Sequence, residues 1–163
     1  MKSIILFRHG QAGWKDNILG QDYDKPLTSI GEKEADKMWK YLSKLNYVPD
    51  LIISSTANRA ETTMKIAYKA GRWTSIIKFE PKIYGGKPNF LIDLINTQNN
   101  KYNSICLVGH EPNFSSFVSL TTGKYKIFNT ACMAKIDFET NQWQEVSYNH
   151  GHLDWLINPV ELN

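Results

Sequence analysis

The sequence predicts an α/β fold in three layers, a mainly parallel sheet with helices on both of its faces. Three observations lead there. Short apolar runs, Ile4-Ile5-Leu6-Phe7, Leu51-Ile52-Ile53-Ser54 and Ser104-Ile105-Cys106-Leu107-Val108, have the length and composition of buried strands. Segments with helical apolar spacing alternate with them, as crossover-linked parallel strands require. Late in the chain, Cys132, Ala134, Ile136 and Phe138 alternate with Met133, Lys135, Asp137 and Glu139. That is the period of a strand with one buried face, and it predicts an antiparallel hairpin or edge.

The first run ends directly in Arg8-His9-Gly10, so reactive side chains begin where the buried strand stops. In α/β sheets, ligands bind in the crevice beyond the carboxyl ends of the strands, which puts His9 there with Arg8 beside it. Gly10 permits a sharp turn or a close approach to a ligand. Residues 11–25 are polar and aperiodic, a loop over that crevice. Pro26-Leu27-Thr28-Ser29 opens a helix in which Ser29 and Glu32 have capping-box spacing and Ala35, Met38, Trp39, Leu42 and Leu45 form the buried stripe.

After the second strand, Ser55 or Thr56 can cap a helix that Gly71 stops. Arg59 falls in its first turn, where a cation opposes the helix dipole; holding a phosphate at the helix N-terminus would explain the choice. Ile76-Ile77-Lys78-Phe79 is a third strand, followed by a turn-rich link beginning at Glu80-Pro81. Phe90, Leu91, Leu94 and Ile95 give the next helix its inner side. The fourth strand runs into Gly109-His110-Glu111-Pro112, before a helix that carries Phe114, Phe117 and Val118 inward. His9 and His110 therefore each stand just past the carboxyl end of a buried strand. A last strand is expected over residues 143–148.

With 163 residues and 42% hydrophobic content, the chain suits one domain spanning 1–163. The net charge of +3 comes without a run of like charges or a basic stripe interleaved with aromatics, which argues against nucleic-acid binding. The N-terminal apolar run is strand-sized and lacks the flanks of a signal peptide, so neither secretion nor a membrane span is expected and a cytoplasmic place is the default. Cys106 and Cys132 lie in apolar strand-like segments without CxxC spacing and read as buried free thiols. No exposed heptad stands out, and a monomer is expected.

Taken together, Arg8-His9-Gly10, Pro26-Leu27-Thr28 with Gly31, Ser54-Ser55 with Arg59-Ala60 and Thr62, and Val108-Gly109-His110-Glu111-Pro112 resemble the histidine phosphatase superfamily in order and context. That superfamily has the phosphoglycerate mutase-like fold. Asn129-Thr130-Ala131 and the C-terminal Gly151-His152-Leu153, Trp155-Leu156 and Pro159 look like its small bacterial branch typified by the phosphohistidine phosphatase SixA. The resemblance implies that His9 is the nucleophile that accepts the phosphoryl group. It places Arg8, Arg59 and His110 around the phosphate, with Gly10 approaching it and no metal or cofactor. Nearby cations would keep His9 neutral, arginine forks would orient phosphate oxygens, and a protonated His110 would donate to another oxygen. Water would then hydrolyse the phosphohistidine on His9.

Larger members place a glutamate after the third strand to protonate the departing alcohol. Here Glu80 is close to that place but out of register, a possible proton donor or only a solvated carboxylate at a strand end. An alkoxide, with a conjugate-acid pKa of roughly 16, needs such help, whereas an imidazole at roughly 6 to 7 needs less. Short connections, residues 11–25 excepted, also predict an open site. Both features favour a phosphorylated protein as substrate, such as a histidine-containing phosphotransfer domain, over a small phosphate ester. A phosphoprotein-binding module without turnover is a further reading. Metal binding by His9, His110, His150 and His152 is another, disfavoured by the arginines beside the strand-end histidines.

Overall fold

The computed structural model describes residues 1–15 and 20–162. Among these, six strands form one sheet in the order β3-β2-β4-β1-β5-β6. The strands are β1 Lys2–Arg8, β2 Leu51–Ser54, β3 Ile76–Phe79, β4 Ser104–Gly109, β5 Met133–Phe138 and β6 Gly151–Ile157. The first four are mutually parallel; β5 runs antiparallel to β1, and β6 antiparallel to β5. The parallel sheet and late antiparallel edge read from the sequence are both present.

Alternation along β1 divides the core in two. Ile4 and Leu6 face one way and pack with Leu91 and Ile95 of α3 (Pro88–Asn96) and with Phe114, Phe117 and Val118 of α4 (Asn113–Thr122). Ile5 and Phe7 face the other way, onto Ala35, Met38, Trp39 and Leu42 of α1 (Ser29–Lys44) and Ala60, Met64 and Ala67 of α2 (Asn58–Gly71). Helices thus cover both faces, so the central strands are apolar at every position rather than at every second one.

Four local expectations are corrected. The cap of α1 is Thr28, whose Oγ1 accepts the Gly31 N–H at 3.1 Å, so the helix is capped one residue before the Ser29 pairing. Neither Ser55 nor Thr56 caps α2, which starts after Ala57; Ser55 Oγ turns toward His110 and Thr56 Oγ1 accepts from the Tyr23 hydroxyl. Gly71 is the last residue of α2, and the left-handed residue that ends it is Arg72 at φ 51°. β5 is buried on both faces, Ala134, Ile136 and Phe138 in the core beneath α3 and α4 and Met133 in the core beneath α1 and α2; Lys135 tolerates this by ion pairing with Asp137 at 2.8 Å and Asp154 at 3.0 Å.

The final strand is also displaced, from the expected residues 143–148 to Gly151–Ile157. Trp143 is fully buried, its indole N–H donating to the Tyr102 carbonyl at 2.9 Å. Asn96 Nδ2 donates to the Trp143 and Val146 carbonyls at 2.7 and 3.0 Å, occupying acceptors that a strand ladder would have used. In the loop expected over residues 11–25, Ala12 bridges to Leu27 and Asp22–Asp24 forms one 3₁₀ turn; residues 16–19 of that loop lie outside the described residues. Among the described residues no helix is long and apolar enough to cross a membrane.

Candidate active site

Strand register puts the two histidines side by side. Arg8 of β1 is paired with Gly109 of β4, so the next residue of each strand, His9 and His110, leaves the sheet at the same level. Their ring centroids are 5.3 Å apart. The turn after β1 lies hard against the start of α1, which requires two glycines: a Cβ on Gly10 would fall 2.5 Å from the Gly31 carbonyl oxygen, and one on Gly31 would fall 2.1 Å from that of Gln11.

This turn also orients the nucleophile candidate. His9 Nδ1 lies 2.7 Å from the Gly10 carbonyl oxygen, which can only accept, so Nδ1 carries the proton and the lone pair is on Nε2. Burial pushes the His9 pKa down to about 4, with Arg59 and Arg8 adding to the shift and the Gly10 hydrogen bond opposing it. The ring is therefore neutral at physiological pH, as expected, but desolvation contributes more than the arginines. Gly10, expected to approach the ligand, donates its N–H to Thr63 Oγ1 at 3.1 Å and thereby positions His9.

Arg59, in the first turn of α2, is buried and points its Nε at His9 Nε2, 3.3 Å away. Its two other nitrogens are held by Asp22, Nη1 donating to the backbone carbonyl at 2.7 Å and Nη2 to Oδ2 at 3.0 Å. The Tyr84 hydroxyl donates to the same Oδ2 at 2.7 Å, and Lys25 lies 3.3 Å from Oδ1. The Tyr84 hydrogen bond above all, with Arg59 behind it, holds the Asp22 carboxyl down at about 2. The Arg59 guanidinium lies 5.7 Å from the Tyr84 ring centre, and the Tyr84 ring meets His110 edge-on at 5.4 Å.

His110 Nε2 is 2.8 Å from Ser55 Oγ. Ser55 Oγ also accepts the Ala57 N–H at 3.2 Å and keeps both a proton to donate and a second lone pair, so it can serve either tautomer of His110. Burial first, then His9 and Arg59, push the His110 pKa down to about 3, so the ring is neutral; this corrects the expectation of a protonated donor. His110 Nδ1 is buried without a partner, and so is Arg8 Nε, while Arg8 Nη1 donates to the Phe128 carbonyl at 2.8 Å.

Arg8, His9, Arg59 and His110 converge on one open cavity of about 290 Å³, which Gln11, Asp22, Lys25, Glu111 and Thr130 also line. Glu80 does not line it: its Oε1 accepts the Lys82 N–H at 3.0 Å and caps a 3₁₀ turn. The carboxylates in the lining are Asp22 and Glu111, and Glu111 Oε1 accepts the Ser115 N–H at 2.7 Å. His150 and His152 are exposed beside Gly151, which pairs with Phe138, itself opposite Lys2 at the amino end of β1. They sit at the far end of the sheet and do not join His9 and His110.

Sequence reasoning missed Asp22, Lys25, Ser55 as a partner of His110, Tyr84 and Glu111. The position of Glu111 directly after His110 was a usable signal; the aperiodic stretch around Asp22 offered none.

The geometry agrees with three comparisons. The histidine phosphatase superfamily (branch 1) profile matches residues 4–80, just under half of the chain. An uncharacterised chloroplastic protein of Arabidopsis thaliana is 29% identical over 165 residues, 96% of this chain and 75% of its own length. The 2,3-bisphosphoglycerate-dependent phosphoglycerate mutase of Bifidobacterium longum is 40% identical over 68 residues, 41% of this chain; the chain spans only 28% of that relative. Among solved structures, a candidate phosphohistidine phosphatase SixA from Agrobacterium tumefaciens superposes with a TM-score of 0.82 at 25% identity, covering 97% of this chain and 98% of the other. A protein histidine phosphatase SixA complexed with tungstate gives 0.85 at 21% identity, with 99% of both chains covered. Paired strand-end histidines, a helix-borne arginine and these likenesses converge: residues 4–80 match the histidine phosphatase superfamily (branch 1), and the chain as a whole has the compact fold of the SixA-type structures.

Proposed function

We propose that the protein hydrolyses phosphohistidine on other proteins through a covalent intermediate on His9. The observation that carries the substrate choice is the poverty of proton donors among the described residues lining the cavity: Asp22 is held ionised at about 2, and Glu111, the other carboxyl, has its Oε1 engaged by the Ser115 N–H. An alkoxide would leave such a site poorly. An imidazole, once its second nitrogen is protonated, leaves as a neutral ring.

In the first step His9 Nε2 forms a bond to phosphorus as the bond to the substrate's ring nitrogen breaks, and the electron pair stays with the departing imidazole. In the second, water attacks the phosphoryl group, the bond to Nε2 breaks, and phosphate departs with the water's oxygen. Arg59 fits this role because Nε already borders Nε2, so an oxygen on the transferring phosphorus meets the guanidinium without a new rotamer. Arg8 Nε and His110 Nδ1 are buried nitrogens without partners; a phosphate oxygen would satisfy the first, and a second oxygen would satisfy Nδ1 in its protonated tautomer. The fold likeness to SixA-type proteins supports the same reading.

The test compares turnover of a histidine-phosphorylated phosphotransfer domain with a panel of small phosphate esters, chelator present throughout. The expected result is faster turnover of the phosphoprotein together with phosphate trapped on His9. A small ester consumed faster would overturn the substrate assignment and turn the search for a proton donor to Glu111 Oε2 or to residues outside those described.

A further inference from the structure

The loop from α4 to β5 presents Lys124-Tyr125-Lys126-Ile127 at the surface, every one of these residues exposed. Tyr125 keeps 77% and Ile127 69% of its surface in solvent, more than any other large apolar side chain among the described residues apart from Val160. The backbone is as unoccupied as the side chains: Tyr125, Lys126 and Ile127 make no hydrogen bond among the described residues. Bulky apolar side chains and free backbone groups together are characteristic of surface that a partner covers.

The strip is nevertheless tied to the cavity. Phe128, the next residue, is buried, its ring 6.1 Å from Phe114, and its carbonyl accepts from Arg8 Nη1. Thr130, two residues on, lines the cavity. Three residues of chain reach at most roughly 11 Å, so Tyr125 lies within that distance of the Phe128 backbone. A small phosphate filling a cavity of about 290 Å³ would leave the strip bare; a folded protein inserting a phosphorylated side chain would bury it.

We propose that residues 124–127 are the docking strip for the phosphorylated protein, taking a surface that carries carboxylates and apolar side chains beside its phosphohistidine. Lys124 and Lys126 supply the charge complementarity, Tyr125 and Ile127 the buried anchors. This rests on the phosphoprotein reading above, and names the part of the enzyme that would select it.

The experiment uses the Tyr125→Ala/Ile127→Ala double variant and, separately, Lys124→Glu/Lys126→Glu, each checked for an unchanged thermal midpoint. Both are assayed on a histidine-phosphorylated phosphotransfer domain and on free phosphohistidine. The wild type is expected to prefer the protein; the apolar variant is expected to raise KM for it by about tenfold, the effect of one modest anchor. Turnover of free phosphohistidine and kcat on the protein stay unchanged. Charge reversal should weaken the protein substrate most at low salt. An unchanged KM, or equal losses on both substrates, overturns the strip, the latter because it would then only support Arg8 through Phe128. So does a monomer-dimer equilibrium that the substitutions abolish without changing the substrate preference. A wild type that hydrolyses esters but neither form of phosphohistidine overturns the substrate reading itself, and the strip's role with it.

Discussion

The Gly10 carbonyl decides which nitrogen of His9 carries the lone pair, and Asp22 decides where Arg59 points. Asp22 grips the two outer nitrogens of Arg59 and leaves Nε toward His9, so the guanidinium is presented by its edge. Arg59→Lys keeps the charge but has one nitrogen for these three contacts. Turnover of the phosphoprotein is expected to fall by about a hundredfold or more, a loss typical of removing an oriented transition-state donor, with secondary structure by circular dichroism intact; near-normal kcat would remove Arg59 from the chemistry. The two histidines also make stability depend on pH. The unfolded chain protonates both rings below about 6.5, whereas the folded rings resist protonation until about 4 and about 3. Between those limits the unfolded state binds more protons, so acidification from pH 6.5 toward 3 should lower the unfolding free energy, and above 6.5 this contribution is constant. Denaturant titrations of wild type and the His9→Ala/His110→Ala variant across that range would show it as a flatter profile in the variant. Arg8, His9, Arg59 and His110 were legible because each ends or follows a strand or opens a helix. Asp22 and Tyr84 were not: Asp22 reaches its partners across 37 and 62 residues, from a stretch with no period to read.

The elements around the site are joined by close backbone approach. In α1, replacing a helical glycine by alanine ordinarily favours the helix by up to about 1 kcal/mol. Gly31→Ala is expected to do the opposite, because its methyl group would lie 2.1 Å from the Gln11 carbonyl oxygen, and neither backbone can yield without moving Gly10 and His9. Loss of both melting temperature and turnover is the expected outcome; a stabilised, fully active variant would show that the contact is slack. On the other side of His9, Ala131 adopts φ 58° and donates its N–H to the His9 carbonyl at 2.9 Å. A left-handed alanine there costs on the order of 1 kcal/mol, and that bond, with complete burial, holds it in place. Helix starts were the least legible feature of the sequence. Ser55, a good cap by composition, serves His110 instead, and Ala57, a poor one, precedes the helix.

Across the whole molecule, the order of the strands in space departs from their order in the chain, and the sequence carried the first half of that fact better than the second. Buried runs announced the parallel strands, but β5 was taken for a half-exposed strand because Lys135 and Asp137 interrupt it, and these prove to be an ion pair beneath Asp154. β1 lies at the centre of the sheet, between β4 and β5. Both neighbours come from beyond residue 100, Ile4 meeting Ile105 on one edge and Ile136 on the other. A ribosome therefore delivers His9 and its strand long before either neighbour of that strand exists. The N-terminal half, with its bare apolar edges, must wait or be sheltered through most of synthesis. The pocket thus waits on the last third of the chain closing around β1, and a truncated product would carry His9 without ever holding it in place.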